Sequence, residues 1–405
     1  MRQFRTLVWF EMKKVLKQKS TWITFGILFA CQLFLSFSGL LGSTYIDGQF
    51  LETHADAIAI DRAYGEAISG RVLDLDFMNE LRTASEYYQK NAPVTYYRTE
   101  SYQKKYRPYE GPMSIINSFC SSSIYRIESL TPERLLEARD ELLEDAWANY
   151  RLTLEEKRYW IKQEKKLPSV YTYQYADAYD NLTGMPGCYM CCMVVSFFIA
   201  VCMSNVFTKE HARKTDQFIL CSQYGRKEIY FAKLVAGSIL SLCACLILLG
   251  TVVSCSFAIY GASGFTALVQ TVCTAWTSQS FTMGELFFVL VGLLLLITLL
   301  TGLIAMIVSE LCRSNIASIA ILIALLFGSR MIPVNKLPRT LSLLGKCLPL
   351  NLLEIYSGFF DPRLIHIFGL KLTVWQVAPI LYLFLGVLLV FIGKKVYCNY
   401  QVDGR

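Results

Sequence analysis

Chemistry at a protein site needs nucleophiles, acids, bases or metal ligands within reach of one another. This 405-residue sequence offers few such constellations. Its three histidines, His54, His211 and His366, lie far apart, and no HExxH pair occurs. His211 reads as a solvated loop residue, with a pH-sensitive contact to a partner as the rival reading. Cys188, Cys191 and Cys192 cluster with no histidine nearby in sequence, so they read as small apolar packing residues rather than a zinc set. No GxxxxGKS or GxxxxGKT phosphate loop occurs, so the chain is expected not to hydrolyse ATP by itself. No catalytic residue, metal ligand or resident cofactor is assigned.

Charge is concentrated elsewhere, in the stretch Asn205 to Lys233. There Lys209, Arg213, Lys214, Arg226, Lys227 and Lys233 face Glu210, Asp216 and Glu228. The excess of Lys and Arg beside apolar runs places this stretch on the cytoplasmic side. Thr215 and Asp216 can cap a short helix through Phe218, Ile219 and Leu220, and Gly225 allows a turn before Arg226 opens the next apolar segment. A short apolar helix held between two spans is something a cytoplasmic partner can push on.

The elements that must hold this stretch are membrane spans. Hydrophobic residues make up 54% of the chain and come in runs. Uncharged stretches long enough to cross a bilayer begin at Trp22, Cys188, Leu234, Leu286 and Val374. A sixth, Ser314 to Ser329, is shorter and must use flanking residues or be broken. The interiors of these spans hold no Asp, Glu, His, Lys or Arg, which argues against an ion-coupled carrier with a titratable group at mid-membrane.

Residues 1–21 read as an amphipathic interfacial helix, and a secretory signal is the weaker alternative because the basic region is too long. Residues 22–43 form the first span. Residues 44–186 form a helical extracellular domain with 17 Lys and Arg against 23 Asp and Glu, while the remainder holds 22 basic and 9 acidic residues. That asymmetry fits an acidic exterior and basic cytoplasmic loops, and excludes a nucleic-acid surface because the cations hug span ends. Helices are predicted to start at Asp74, at Thr131–Pro132 and at the Thr153–Glu156 capping box, with Pro168 ending the last. The domain carries 16 of the 24 tyrosines, read as packing or headgroup anchoring before a recognition surface. The Asn181-Leu182-Thr183 triplet is a weak glycosylation signal.

Residues 187–405 hold spans two to six, with a cytoplasmic loop 208–233 and an exterior segment 330–373. The segment is anomalous, because Arg330, Lys336, Arg339, Lys346, Arg363 and Lys371 oppose the positive-inside expectation. The reading as a whole is an all-α integral membrane protein of the cell membrane. It has six transmembrane helices and both termini in the cytoplasm.

The loop resembles the first cytoplasmic loop of type-2 ABC exporter permeases, particularly bacterial ones with a large extracellular insert. The resembling positions are Glu210, Thr215, Asp216, Phe218 to Leu220, Gly225, Arg226 and Lys233. The interfacial helix and the large first insert extend the likeness. The resemblance implies an exporter subunit with no cofactor of its own, driven by ATP held on a separate ATPase. Glu210, Thr215, Asp216, Phe218, Leu220, Gly225 and Arg226 would contact that ATPase, and a second permease chain, identical or similar, would complete the pathway. Uncharged spans suggest an apolar or amphipathic cargo, such as a lipid-like molecule, drug or antimicrobial peptide. A receptor or immunity protein whose exterior domain binds a ligand without moving it is the alternative.

Overall fold

The computed structural model describes residues 2–46, 48–91, 98–120, 131–212, 215 and 226–399. The chain opens with α1 (Arg2–Leu16), and a break at Lys17–Gln18 turns it into α2 (Lys19–Phe37). The break is held by the chain itself. Thr21 Oγ1 donates to the Val15 carbonyl (3.2 Å) and Trp22 Nε1 to the Leu16 carbonyl (2.7 Å). The interfacial helix thus ends five residues before the predicted boundary at Thr21.

A hairpin of β1 (Leu41–Ile46) and β2 (Gln49–Thr53) leads into the insert. The insert's helices are α3 (Ala55–Ile68), α4 (Leu75–Asn91), α5 (Glu100–Lys105), α6 (Glu110–Phe119), α7 (Pro132–Asn149), α8 (Leu154–Glu164) and α9 (Asp177–Thr183). Three of the predicted starts are visible as caps. Asp74 accepts from the Phe77 amide at 2.9 Å, Thr131 from the Arg134 amide, and Thr153 with Glu156 forms the reciprocal capping box. The insert core gathers Phe77, Leu81, Ile116, Phe119, Leu135 and Tyr171. Tyr171, Tyr173 and Tyr175 are buried, and Tyr88 stacks on Tyr106 at 4.4 Å, so these tyrosines pack rather than face outward.

The membrane part follows as α10 (Met190–Met203), its continuation α11 (Asn205–Ala212), α12 (Lys227–Tyr260), α13 (Met283–Cys312) and α14 (Asn315–Met331). After α15 (Arg339–Lys346) and the hairpin β3 (Ile365–Ile367) and β4 (Leu370–Leu372) comes α16 (Val374–Asn399). Five of these helical stretches, containing α2, α10–α11, α12, α13 and α16, are long and apolar enough to cross a bilayer. At 17 residues, α14 spans roughly 25 Å, short of a hydrocarbon core of about 30 Å. The two hairpins are short additions to an otherwise helical chain that the helical periodicity did not announce.

The core lies where α10, α12 and α13 meet, with Leu248, Leu290, Leu294, Ile297 and Ile199 fully buried. Gly237 lets α12 approach α13 closely: a Cβ there would sit 2.4 Å from Met306 Sδ. The thiols of Cys188, Cys191 and Cys192 are buried in the same core. By contrast α2 and α16 lie outermost and expose Ile23, Ile27, Phe34, Leu383, Phe384 and Phe391.

The insert, the 261–282 connection and the 330–373 segment meet at one end of the spans. Arg139, only 2% exposed, donates to the Ala275 carbonyl (Nε, 3.1 Å) and the Thr277 carbonyl (Nη2, 3.0 Å). Trp160 Nε1 donates to the Pro362 carbonyl at 2.6 Å. The cations that made 330–373 anomalous are largely neutralised here. Arg330 pairs with Glu354, Arg339 with Glu156 and Lys371 with Glu155, while Lys346 and Arg363 share Asp361. Positive charge is tolerated at this end because Glu155 and Glu156 of the insert and Glu354 and Asp361 of the segment itself come to meet it.

Candidate functional site

The loop singled out from the sequence begins where α10 breaks into α11 at Ser204. A broken helix frees backbone groups that must find partners when buried. Ser309 of α13 supplies them. Its hydroxyl donates to the Ser204 carbonyl (2.6 Å) and accepts from the amides of Phe207 and Thr208. Ser204 Oγ in turn donates to Asn315 Oδ1 at the start of α14 (2.7 Å). The break therefore fixes the direction of α11 against α13 and α14.

This direction carries Glu210 into a seam between three helices. Its carboxylate meets Lys233 of α12 at 2.5 Å and Lys14 of α1 at 2.9 Å. Lys233 is 1% exposed, also donates to the Val206 carbonyl (3.1 Å), and lies over the Phe207 ring at 4.6 Å. Lys14 further pairs with Glu11 at 2.6 Å. Burial works to lower the Lys14 pKa, but Glu11 and Glu210 outweigh it and hold the ammonium above its ordinary value. On the far side of α1, Val8 packs with Ala232 and Ala236 of α12, so apolar and ionic contacts fix the same docking.

Neighbouring charges extend the seam. His211 Nε2 lies 2.9 Å from Glu310 Oε2, and both side chains are buried. This corrects the expectation of a solvated His211: α11 stays helical to Ala212 and turns the ring into α13 instead of releasing it to water. Glu310 belongs to α13, whose end is marked by the left-handed Arg313. Thr215 donates its amide to the Glu210 carbonyl (3.1 Å), and Arg226 Nη1 reaches the Cys398 carbonyl near the end of α16 (3.4 Å). Asp216, Phe218, Leu220 and Gly225 lie outside the described residues.

A cleft of about 630 Å³ opens between α1 and α11, with Phe10, Lys14, Lys17, Lys209, Glu210 and Thr215 on its walls. No group of three or more His, Cys, Asp or Glu able to hold a metal ion occurs among the described residues. What the arrangement offers is mechanical. Glu210 ties α1, α11 and α12 into one body, and the ends of the loop reach α13 and α16.

Sequence reasoning found Glu210 and Lys233 as positions of one pattern, and the structure joins them directly. It missed Lys14, Glu11 and Glu310, which lie far from the loop in sequence. The one available signal was an acid or base interrupting the apolar side of α1 at Glu11 and Lys14.

A helical protein with apolar spans and charges gathered at both ends is a multi-pass membrane protein. The remaining distinction comes from comparison of sequences: residues 5–341 match the family model described as ABC-2 family transporter protein, and the chain belongs to that family. It is thus a permease subunit of an ABC transporter, a membrane transport component and not the ATPase itself. No curated protein and no solved structure matches it.

Proposed function

We propose that this permease works as an exporter, moving an apolar or amphipathic substrate with ATP hydrolysed on a separate ABC ATPase. The seam at Glu210 carries the proposal. A force applied to the 208–233 loop reaches α1 through Lys14 and α12 through Lys233 without first bending either helix, because both ionic links are short and the one to Lys233 is buried. Glu210, Thr215 and Arg226 hold the loop's described ends, and Asp216, Phe218, Leu220 and Gly225 complete the surface offered to the ATPase. Both termini and this loop then lie in the cytoplasm, the insert and 330–373 lie outside, and α14 crosses as the fifth of six spans with the help of its flanks. A second permease chain, identical or similar, pairs with this one, and the exposed apolar faces of α2 and α16 face lipid or that chain.

Charge-poor spans favour a lipid-like molecule, drug or antimicrobial peptide as cargo. The receptor reading is weakened because Tyr171, Tyr173, Tyr175 and Tyr179 are buried in packing. The test is Phe218→Asp with Leu220→Asp, scored by co-purification with the ATPase and by transport. Lost association with an intact fold is expected. Unchanged association and transport would remove the loop from the coupling role.

A further inference from the structure

At the opposite end of the molecule, where the insert meets the 330–373 segment, lies a second cleft of about 610 Å³. Its charged walls are all basic: Arg151, Lys336, Arg339 and Arg363, with Asn149 and Asn335 adding amides and Tyr150 a ring. Behind them Lys346 is buried, 5.2 Å from the Tyr150 ring centre.

Five cations therefore converge where two carboxylates are within pairing distance. Glu156 takes Arg339, and Asp361, fully buried, takes both Lys346 and Arg363. Burial alone would raise the Glu156 pKa, but the amides of Leu364 and Thr153 and the Arg339 guanidinium hold it below the usual range, so it stays committed to these partners. Arg151 and Lys336 form no ion pair among the described residues, and both are exposed on the cleft wall. Arg151 also adopts a left-handed backbone (φ 50°) just past the end of α7, a conformation rarely taken by a residue of its kind. Arg151 comes from the insert, and the other four cations come from the 330–373 segment packed against it.

We propose that this cleft is a binding site for a phosphate-bearing anion. Guanidinium forks match phosphate oxygens, and an ammonium and two amides supply further donors around a volume larger than one carboxylate fills. Lys336 lies only five residues beyond Met331, the last residue of α14, so the cleft is within reach of the level of lipid headgroups. The phosphate can come from a lipid headgroup or from a solute, and the chemistry is shared. The site is independent of the coupling seam and of the direction of transport.

The test uses the purified full chain without any ATPase, so its result does not depend on the permease acting as an exporter. Pyrophosphate is titrated calorimetrically into protein in neutral detergent, and retention of phosphatidylglycerol is read by native mass spectrometry. The comparison is with the double variant Arg151→Asn, Lys336→Gln, and with Lys104→Gln on α5 as a remote control. Loss of two charge-assisted contacts is expected to weaken binding by about tenfold or more, with the control unchanged. Weakened pyrophosphate binding assigns the site to a solute, and weakened phosphatidylglycerol retention assigns it to a headgroup. No binding of either probe to the unsubstituted chain, or equal binding by the double variant, overturns the proposal. Thermal unfolding checks the fold. Should the double variant not fold, Lys336→Gln alone replaces it, with about threefold weakening expected and none overturning the site.

Discussion

The two ends of this protein both bury charge, yet they do so with different connectivity. At the insert end Asp361 sits between Lys346 and Arg363, all three drawn from the stretch that runs from α15 to β3. At the other end Glu210 sits between Lys14 and Lys233, drawn from three helices. The first arrangement closes a segment on itself, whereas the second joins three separate helices through one carboxylate. One cluster should therefore matter most to folding, and the other to how motion is shared.

The largest effect is expected at Asp361. Its removal in Asp361→Ala strands two largely buried cations, Lys346 and Arg363, without their shared carboxylate. Breaking a buried pair this way costs roughly 3–5 kcal/mol, and the present cluster belongs at the top of that range. Denaturant unfolding in mixed micelles should show this loss, while any folded fraction still binds the ATPase. Normal stability in the variant would mean that solvent reaches the cluster.

Glu210→Ala should be milder in stability and more severe in function. Lys233 loses its carboxylate but keeps the Val206 carbonyl and the Phe207 ring, and Lys14 is partly exposed and keeps Glu11. A loss of about 2–3 kcal/mol is expected, below the usual cost of a broken buried pair because both cations keep other partners. Adding Lys233→Met should restore part of the stability because it removes the stranded charge. Transport should stay low in the double variant if the ionic link shares motion among α1, α11 and α12. Recovery of transport together with stability would reduce Glu210 to a packing role.

A third effect is pH-dependent and confined to the insert. Burial first, and then the neighbouring Asp61, push the Glu110 carboxyl up to about 7. A carboxyl raised above its unfolded value prefers the protonated form in the fold. Its penalty is therefore absent below pH of about 4.5, grows as pH rises, and is complete above about 7. Glu110→Gln keeps an acceptor for the Tyr102 hydroxyl and removes the charge. It should stabilise the insert by about 1–2 kcal/mol at pH 7.5, after allowance for partial solvation, and leave stability unchanged near pH 4.5. Equal effects at both pH values would show that folding does not raise the Glu110 pKa.

Much of this was readable from the sequence because membrane spans and helix caps are local signals. Thr153 and Glu156 announce a cap within four residues, and α12, α13 and α16 announce themselves by apolar length. The pairing of charges was not local. Nothing near Lys346 predicts that Asp361 will fold back onto it, and nothing near Glu210 points to Lys14. The positive residues of 330–373 looked misplaced because Arg339 and Lys371 find Glu156 and Glu155 in the insert, while Arg330, Lys346 and Arg363 find Glu354 and Asp361 only once the segment folds back on itself. The same blindness misread His211, whose partner Glu310 belongs to another helix. The cap and span signals gave the frame, while the candidate site depended on contacts that only the packed helices create.

The smallest effect tests whether burial, rather than pairing as such, separates these charges. Arg62 and Glu66 on α3 meet at 3.0 Å, one turn apart, and each is more than a third exposed. The geometry is as good as that of Lys14 and Glu210. Water, however, competes for both groups, salt screens them, and the basic residue precedes the acidic one, the weaker order on a helix. Arg62→Ala should therefore cost no more than about 0.5 kcal/mol, shrinking further in high salt. The same denaturant titration that reads Glu210→Ala would measure it. A cost near that of Glu210→Ala would mean that pair geometry sets the energy at both sites. A near-zero value leaves desolvation as the reason why Glu210, and not Arg62, holds helices together.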